Sequence, residues 1–326
     1  MPHHHQHPGG YVYRAVTTVV RAVNTAIVAA HVDFPFLRVL VCPALAALVR
    51  LRRPSLFCTS PGQGGFWLGG PPRAHRSPAV LYIHGGGFVH HIATARLATG
   101  LLAEALAAVG VAAPRTFASD YPLLPEATSA AQRAAVRAAY DAASDGGARK
   151  VVVMGDSAGG ALTLGLVLDL VEEGGAAAAS LAGAVALSPY LDMDGVNPSV
   201  AENDANDWLP SALARRMGHL AADAKPWAQG LLGRVGAADA AGRLPPLLVV
   251  AGGGELLADD ARALGAVRSV ELRLWKGEPH DFMLSELVCR GGAVTMTAVW
   301  GQIGSFVAFA LAARPADSPG SAAGPR

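Results

Sequence analysis

The sequence predicts an α/β fold, a mostly parallel sheet with helices on both faces. Three observations carry that prediction. The short apolar runs "AVLYI", "KVVVM", "LAGAVALS" and "PLLVVAG" have the length and unbroken hydrophobicity of strands buried on both sides. Alanine- and leucine-rich stretches of helical length alternate with them. Two of the runs end in glycine clusters, "HGGGF" and "GDSAGG", where a strand hands over to a loop or a helix.

In chain order, residues 1–10, "MPHHHQHPGG", are low in complexity and read as a disordered, solvated tail rather than a metal site. Residues 11–50 read as two helical stretches interrupted at "DFPF". Residues 54–78, rich in Pro, Gly and Ser, read as a connector with "GFWLG" as a short strand. The α/β domain is expected over 79–313. It begins with the strand "AVLYI" and the helix "TARLATGLLAEALAAVG", closed by Gly110. "VAAPRTFASDY" is a poor strand because Pro114 sits inside it. A helix over "ATSAAQRAAVRAAYDAA" leads to strand "KVVVM", the helix after Gly159 and strand "LAGAVALS". A polar, lid-like insertion over about 191–244 separates these from strand "PLLVVAG", helix "LADDARALG" and strand "VELRLW". A last helix covers roughly 295–313, and 314–326 form a Pro/Ser/Gly tail.

The bulk numbers exclude some function classes. With 326 residues, 52% of them apolar, the chain suits one large α/β unit with extensions. Lys+Arg 26 against Asp+Glu 25 gives a net charge of +1, without the electrostatic footprint of a nucleic-acid binder. Cys42, Cys58 and Cys289 offer neither a disulfide framework nor a paired metal motif. The apolar stretches at 11–30, broken by Arg14, Arg21 and Asn24, and at 39–49 fall short of the roughly 20 apolar residues of a span. The first residues lack the basic-then-apolar layout of a secretion signal. A cytoplasmic protein is expected, with peripheral membrane contact through its N-terminal helices and a small-molecule partner.

Gly155-Asp156-Ser157-Ala158-Gly159 lies between a buried strand and a helix, the context that gives a G-x-S-x-G pentapeptide meaning. A nucleophilic serine must sit in a strained strand-to-helix turn, and flanking glycines let neighbouring backbone pass without Cβ clashes. The helix that follows aims its N-terminal N–H groups at developing negative charge. A serine nucleophile also needs oxyanion donors, each worth about 2.7–4 kcal/mol. His84-Gly85-Gly86-Gly87 supplies bare backbone at the same sheet edge. No Lys-Ser/Thr follows these glycines, so they are not a phosphate loop.

"HGGGF", "SDYPLLPE", "GDSAGG", "LSPYLD" and "EPHDF" together resemble the hormone-sensitive-lipase-like esterases of the α/β-hydrolase fold. The resemblance covers about 79–313. It implies a cap of N-terminal helices over the pocket, for which residues 11–78 are the candidate together with their connector. One departure is Pro122, where the family usually carries arginine; it is expected to touch local packing.

The fold's order of serine, acid, histidine places the base late in the chain. His280 in "LWKGEPHDF" follows the final strand after a short loop. His84, His90 and His91 precede the serine, and His219 lies in the insertion. For the acid, "VVAGGGELLADD" offers Glu255, Asp259 and Asp260 just beyond a strand end. Reach favours Glu255. The resemblance agrees, because the family's acid precedes a second acid by four residues, as Glu255 precedes Asp259. The family usually has aspartate there. Asp259 is the alternative.

The expected site is therefore Ser157, His280 and Glu255. An oxyanion hole is expected from Gly85, Gly86, Gly87 and Ala158, with Gly85 shaping the loop. Phe88 and Trp208 are expected to line the substrate pocket. The chemistry is two-step hydrolysis of short-to-medium acyl esters, needing no metal or organic cofactor. A deacetylase or amidase would use the same triad. A non-catalytic small-molecule receptor of this fold, as the plant gibberellin receptors are, lacks the histidine that "EPHDF" retains here.

Overall fold

A computed structural model of the chain describes residues 18–26, 59–70, 77–90, 94–284 and 289–313. The tails expected at 1–10 and 314–326, and most of the N-terminal helical region, lie outside the described residues. Eight strands form one sheet: β1 (Thr59–Gly62), β2 (Gly65–Leu68), β3 (Ala79–Ile83), β4 (Arg115–Ser119), β5 (Val151–Asp156), β6 (Leu181–Leu187), β7 (Leu247–Gly252) and β8 (Val270–Trp275). Their order is β1-β2-β4-β3-β5-β6-β7-β8. β1 and β2 run antiparallel to each other, and β2 runs antiparallel to β4. Every other pairing is parallel.

The period of two along each central strand divides the core. Leu81 and Ile83 of β3, with Val151 and Val153 of β5, face one layer built on the helices Ser129–Ser144, Ala158–Glu173 and Lys225–Ala240. Val80 and Tyr82, with Val152 and Met154, face the other layer, built on helices Thr94–Ala108 and Gly292–Ala312. β3, β5, β6 and β7 are buried throughout, which is why they read as continuous apolar runs.

Two expectations needed correction, and the insertion takes a definite form. The segment read as a connector contains not one short strand but the β1–β2 hairpin, with β2 at the expected "GFWLG", and Trp67 is buried edge-on against Phe117, ring centroids 5.0 Å apart. The sheet thus begins at Thr59, ahead of the domain start expected at residue 79. Pro114 stands just before β4 rather than within it, where its missing N–H breaks no ladder bond. The 191–244 insertion is helical, carrying Pro198–Asn203, Ser211–Leu220 and Lys225–Ala240. In the last of these Ala228, Leu231, Val235 and Ala238 form a buried stripe at helical spacing.

Successive connections leave β3 towards β4 on one side and β5 on the other. The chain reverses direction there, and in parallel sheets it is beyond the carboxyl ends of such strands that ligands bind. The loops carrying His84, Ser157, Glu255 and His280 all leave the sheet at such ends.

Candidate active site

Ser157 occupies the turn between β5 and helix Ala158–Glu173 with φ 54° and ψ −119°, a conformation L residues rarely adopt. Its neighbours explain how it is held. A Cβ on Gly159 would overlap the carbonyl oxygens of Ile83 and His84, and one on Gly155 would press on Gly159 and Ile83. The Ser157 N–H donates to the Leu187 carbonyl at 2.8 Å, and its carbonyl accepts from Tyr190 N–H at 3.0 Å. The side chain is 7% exposed.

Asp156, fully buried, joins this turn to the glycine loop. Its Oδ1 accepts from the Tyr82 hydroxyl at 2.8 Å and from the Gly85 N–H at 3.1 Å. Burial pushes its carboxyl up to about 6, against the pull of those hydrogen bonds. The Gly85 amide is thereby spent. Of the residues expected at the oxyanion hole, Gly85, expected to shape the loop, donates its N–H to Asp156. Among the described residues, no acceptor takes the N–H of Gly86, Gly87 or Ala158. Gly86 and Gly87 have φ of 108° and 61°, and a Cβ on Gly87 would collide with Met217. His84 stacks on Tyr121, centroids 4.2 Å apart, while Tyr121 Oη donates to the His84 carbonyl at 2.8 Å.

His280 brings Nε2 to 3.1 Å from Ser157 Oγ. It is 3% exposed, and burial alone lowers its pKa to about 3. Glu255 is wholly buried; its Oε2 accepts from Ser188 Oγ at 2.8 Å and from Gly252 N–H at 2.9 Å. Burial first, and the Asp207 charge second, raise its pKa well above the usual carboxylate range. Glu255 Oε1 and His280 Nδ1 are both buried and, among the described residues, both lack a hydrogen-bond partner. An acceptor and a donor are thus present on the acid and the base, and the structure leaves them unjoined. Removal from water is the largest cause of both shifts, and both disfavour charge on the group concerned.

The alternative acid, Asp259, turns to the Ser199 N–H at 2.8 Å and to Arg262 at 2.6 Å. Asp260 accepts from the N–H groups of Leu191 and Asp192. Both acids tether the start of the insertion, which leaves Glu255 as the candidate acid. Phe88 is fully buried, with φ 67°, its ring 6.3 Å from that of Tyr190. It is a core residue rather than a pocket lining. Trp208 lies beside the base, ring centroids 5.8 Å apart, and its Nε1–H donates to the His280 carbonyl at 2.5 Å.

Three site residues escaped the sequence reading. Asp281 places Oδ2 3.3 Å from His280 Nε2, and burial first, then the charges of Asp156, Glu255 and Asp207, push its pKa well above the usual carboxylate range. Its place next to His280 was the available signal. Ser188 donates to Glu255 and receives the Asp281 N–H at 3.3 Å. Asp207 accepts the His280 N–H at 3.1 Å, and nothing in the local sequence announces it. Ser157, Ser188, Asp281 and Phe88 are four of the five non-glycine residues with positive φ among the described residues, so backbone strain gathers at this one place.

A profile of the α/β-hydrolase fold matches residues 80–284. A Mycobacterium tuberculosis protein named as an acetyl-hydrolase, LipR, is 29% identical over 225 residues, 66% of this chain and 68% of that protein. A carboxylesterase/phospholipase of the same organism, LipF, is 28% identical over 250 residues; the match spans 72% of this chain and 62% of LipF. The crystal structure of an esterase from the bacterial hormone-sensitive lipase family superposes with a TM-score of 0.69. It is 25% identical, and the match covers 92% of this chain and 98% of that one.

Proposed function

Since the chain belongs to the α/β-hydrolase fold family, we propose that it is a serine carboxylic ester hydrolase working through Ser157, His280 and Glu255. The observation that carries the reading is the 3.1 Å approach of His280 Nε2 to the Oγ of a serine at φ 54°. A receptor has no use for a strained serine beside a buried imidazole. The names of LipR and LipF support ester cleavage as the reaction.

Ser157 Oγ attacks the ester carbonyl carbon while His280 Nε2 takes its proton. The carbonyl oxygen gains the negative charge, and the N–H groups of Gly86, Gly87 and Ala158 receive it. Collapse of the tetrahedral intermediate breaks the bond to the alkoxy oxygen, which takes the proton from His280 and leaves as alcohol. Water then attacks the acyl-serine with His280 again as base, releasing the carboxylic acid and restoring Ser157. Glu255 is the group that would fix the imidazole through Nδ1–H and stabilise the imidazolium that forms. The dry surroundings lower the basicity of His280, so this carboxylate has much to contribute.

The acyl group is short to medium. Enclosure of Ser157 and the packing of Met217 onto Gly87 support that preference. The test is hydrolysis of p-nitrophenyl esters from acetate to palmitate by the wild type and by Ser157→Ala. Activity that peaks at short chains and vanishes in the variant is expected. A folded wild type inactive at every chain length would overturn the reading.

A further inference from the structure

One buried carboxylate has no part in the acyl transfer. Asp207 comes from the insertion and is 1% exposed. Its Oδ1 accepts from the N–H groups of His280 at 3.1 Å and Leu209 at 3.3 Å, and its Oδ2 accepts from Leu256 N–H at 2.8 Å. Leu256 directly follows Glu255. A single carboxylate therefore holds the backbone of the acid's turn and of the base's loop. The next residue, Trp208, donates to the His280 carbonyl. Both main-chain polar groups of His280 are gripped by adjacent residues of one turn.

That turn is itself tied to the N-terminal side of the chain. Within the helical stretch 18–26, Arg21 donates to the Asp207 carbonyl at 2.8 Å and pairs with Asp204 at 3.3 Å. Asn24 reaches the Trp208 carbonyl at 3.4 Å.

We propose that Asp207 is a positioning residue for His280, and that the 18–26 helix presets it through Arg21. The proposal rests on the reading of Ser157 and His280 as nucleophile and base. A group displaced by about 1 Å can lose about 100-fold in rate, and the Nε2–Oγ separation is set by where the His280 backbone stands. An aspartate suits the task because its two oxygens can serve three N–H donors. An asparagine has one acceptor oxygen and can hold either Leu256 or His280, but not both.

The test is steady-state hydrolysis of p-nitrophenyl butyrate, with folding of each variant checked by circular dichroism and thermal melting. In Asp207→Asn, kcat is expected to fall about 10-fold, and in Asp207→Ala about 100-fold, with KM within about 3-fold of wild type. The rate at which diethyl p-nitrophenyl phosphate modifies Ser157 should fall in parallel, because it uses the same base. Arg21→Ala should lower kcat by about 2–5-fold on the same pattern. Should the Asp207 variants fail to fold, Trp208→Phe, which removes only the donor to the His280 carbonyl, is expected to lose about 3–10-fold in kcat. A folded Asp207→Asn or Trp208→Phe with wild-type kcat, or a loss confined to KM, overturns the proposal while leaving the esterase standing. Wild type that neither hydrolyses the ester nor reacts with the phosphate overturns both.

Discussion

At Ser157 the chain is fixed by backbone sterics. Glycines at 155 and 159 let β3, β5 and the following helix approach until no Cβ would fit, and main-chain hydrogen bonds to Leu187 and Tyr190 do the rest. Only 3.1 Å away, His280 is fixed by side chains from distant loops. Asp207 and Trp208 hold its backbone, and Ser188 holds both the acid and the Asp281 amide. Ser157 is held by the shape of the sheet, whereas His280 is held by a network of polar groups. The difference teaches where each half is vulnerable: the serine to any added atom, the histidine to the loss of one acceptor.

The largest expected effect breaks both halves equally. Ser157→Ala and His280→Ala should each lower kcat by about 10⁶-fold without unfolding the protein, measured on p-nitrophenyl butyrate. Glu255→Gln tests the polar half alone and should lower kcat by about 10⁴-fold, because the imidazole loses its orienting carboxylate. A loss under 10-fold would move the acid's role elsewhere. Gly159→Ala tests the steric half. The added methyl meets two backbone carbonyls that cannot turn aside, so chemical denaturation should show a loss of about 3 kcal/mol.

A subtler contrast is pH dependence. His280 in the folded chain titrates near 3, against 6.5 when unfolded, so between those values the unfolded state binds a proton that the folded state does not. Stability therefore falls as pH drops below 6.5. Relative to His280→Gln, wild type should lose at most about 1.4 kcal/mol per pH unit across that window. Denaturant titrations of both proteins at pH 7 and 5 measure the slope, and parallel stabilities would show that the imidazole is not buried as described. The smallest effect is expected of Asp259→Asn. This acid serves Ser199 and Arg262 on a partly exposed face, so kcat should stay within about 3-fold of wild type.

The same contrast explains what was legible in the sequence. The parallel strands, the elbow around Ser157 and the histidine after β8 follow from local patterns: apolar runs, glycine spacing and chain order. What escaped depends on contacts distant in sequence. Asp207 is 73 positions from His280, and its segment looks like any polar loop. Gly85 reads as a loop-shaping glycine, and only the fold brings Asp156, 71 positions on, to its amide. Phe88, beside the glycines, reads as a pocket residue until the positive φ there turns it into the core. Of the β1–β2 hairpin, "GFWLG" was legible as a strand, whereas β1, the four residues TSPG, carries no periodic signal and is held by its pairing with β2.

The most direct measurement of the central claim is stoichiometric modification by diethyl p-nitrophenyl phosphate. Ser157 activated by His280 predicts one p-nitrophenolate released per chain, one diethylphosphoryl group on Ser157 by peptide mass mapping, and no modification in Ser157→Ala or His280→Ala. Release without modification of Ser157, or undiminished labelling in folded His280→Ala, would contradict it.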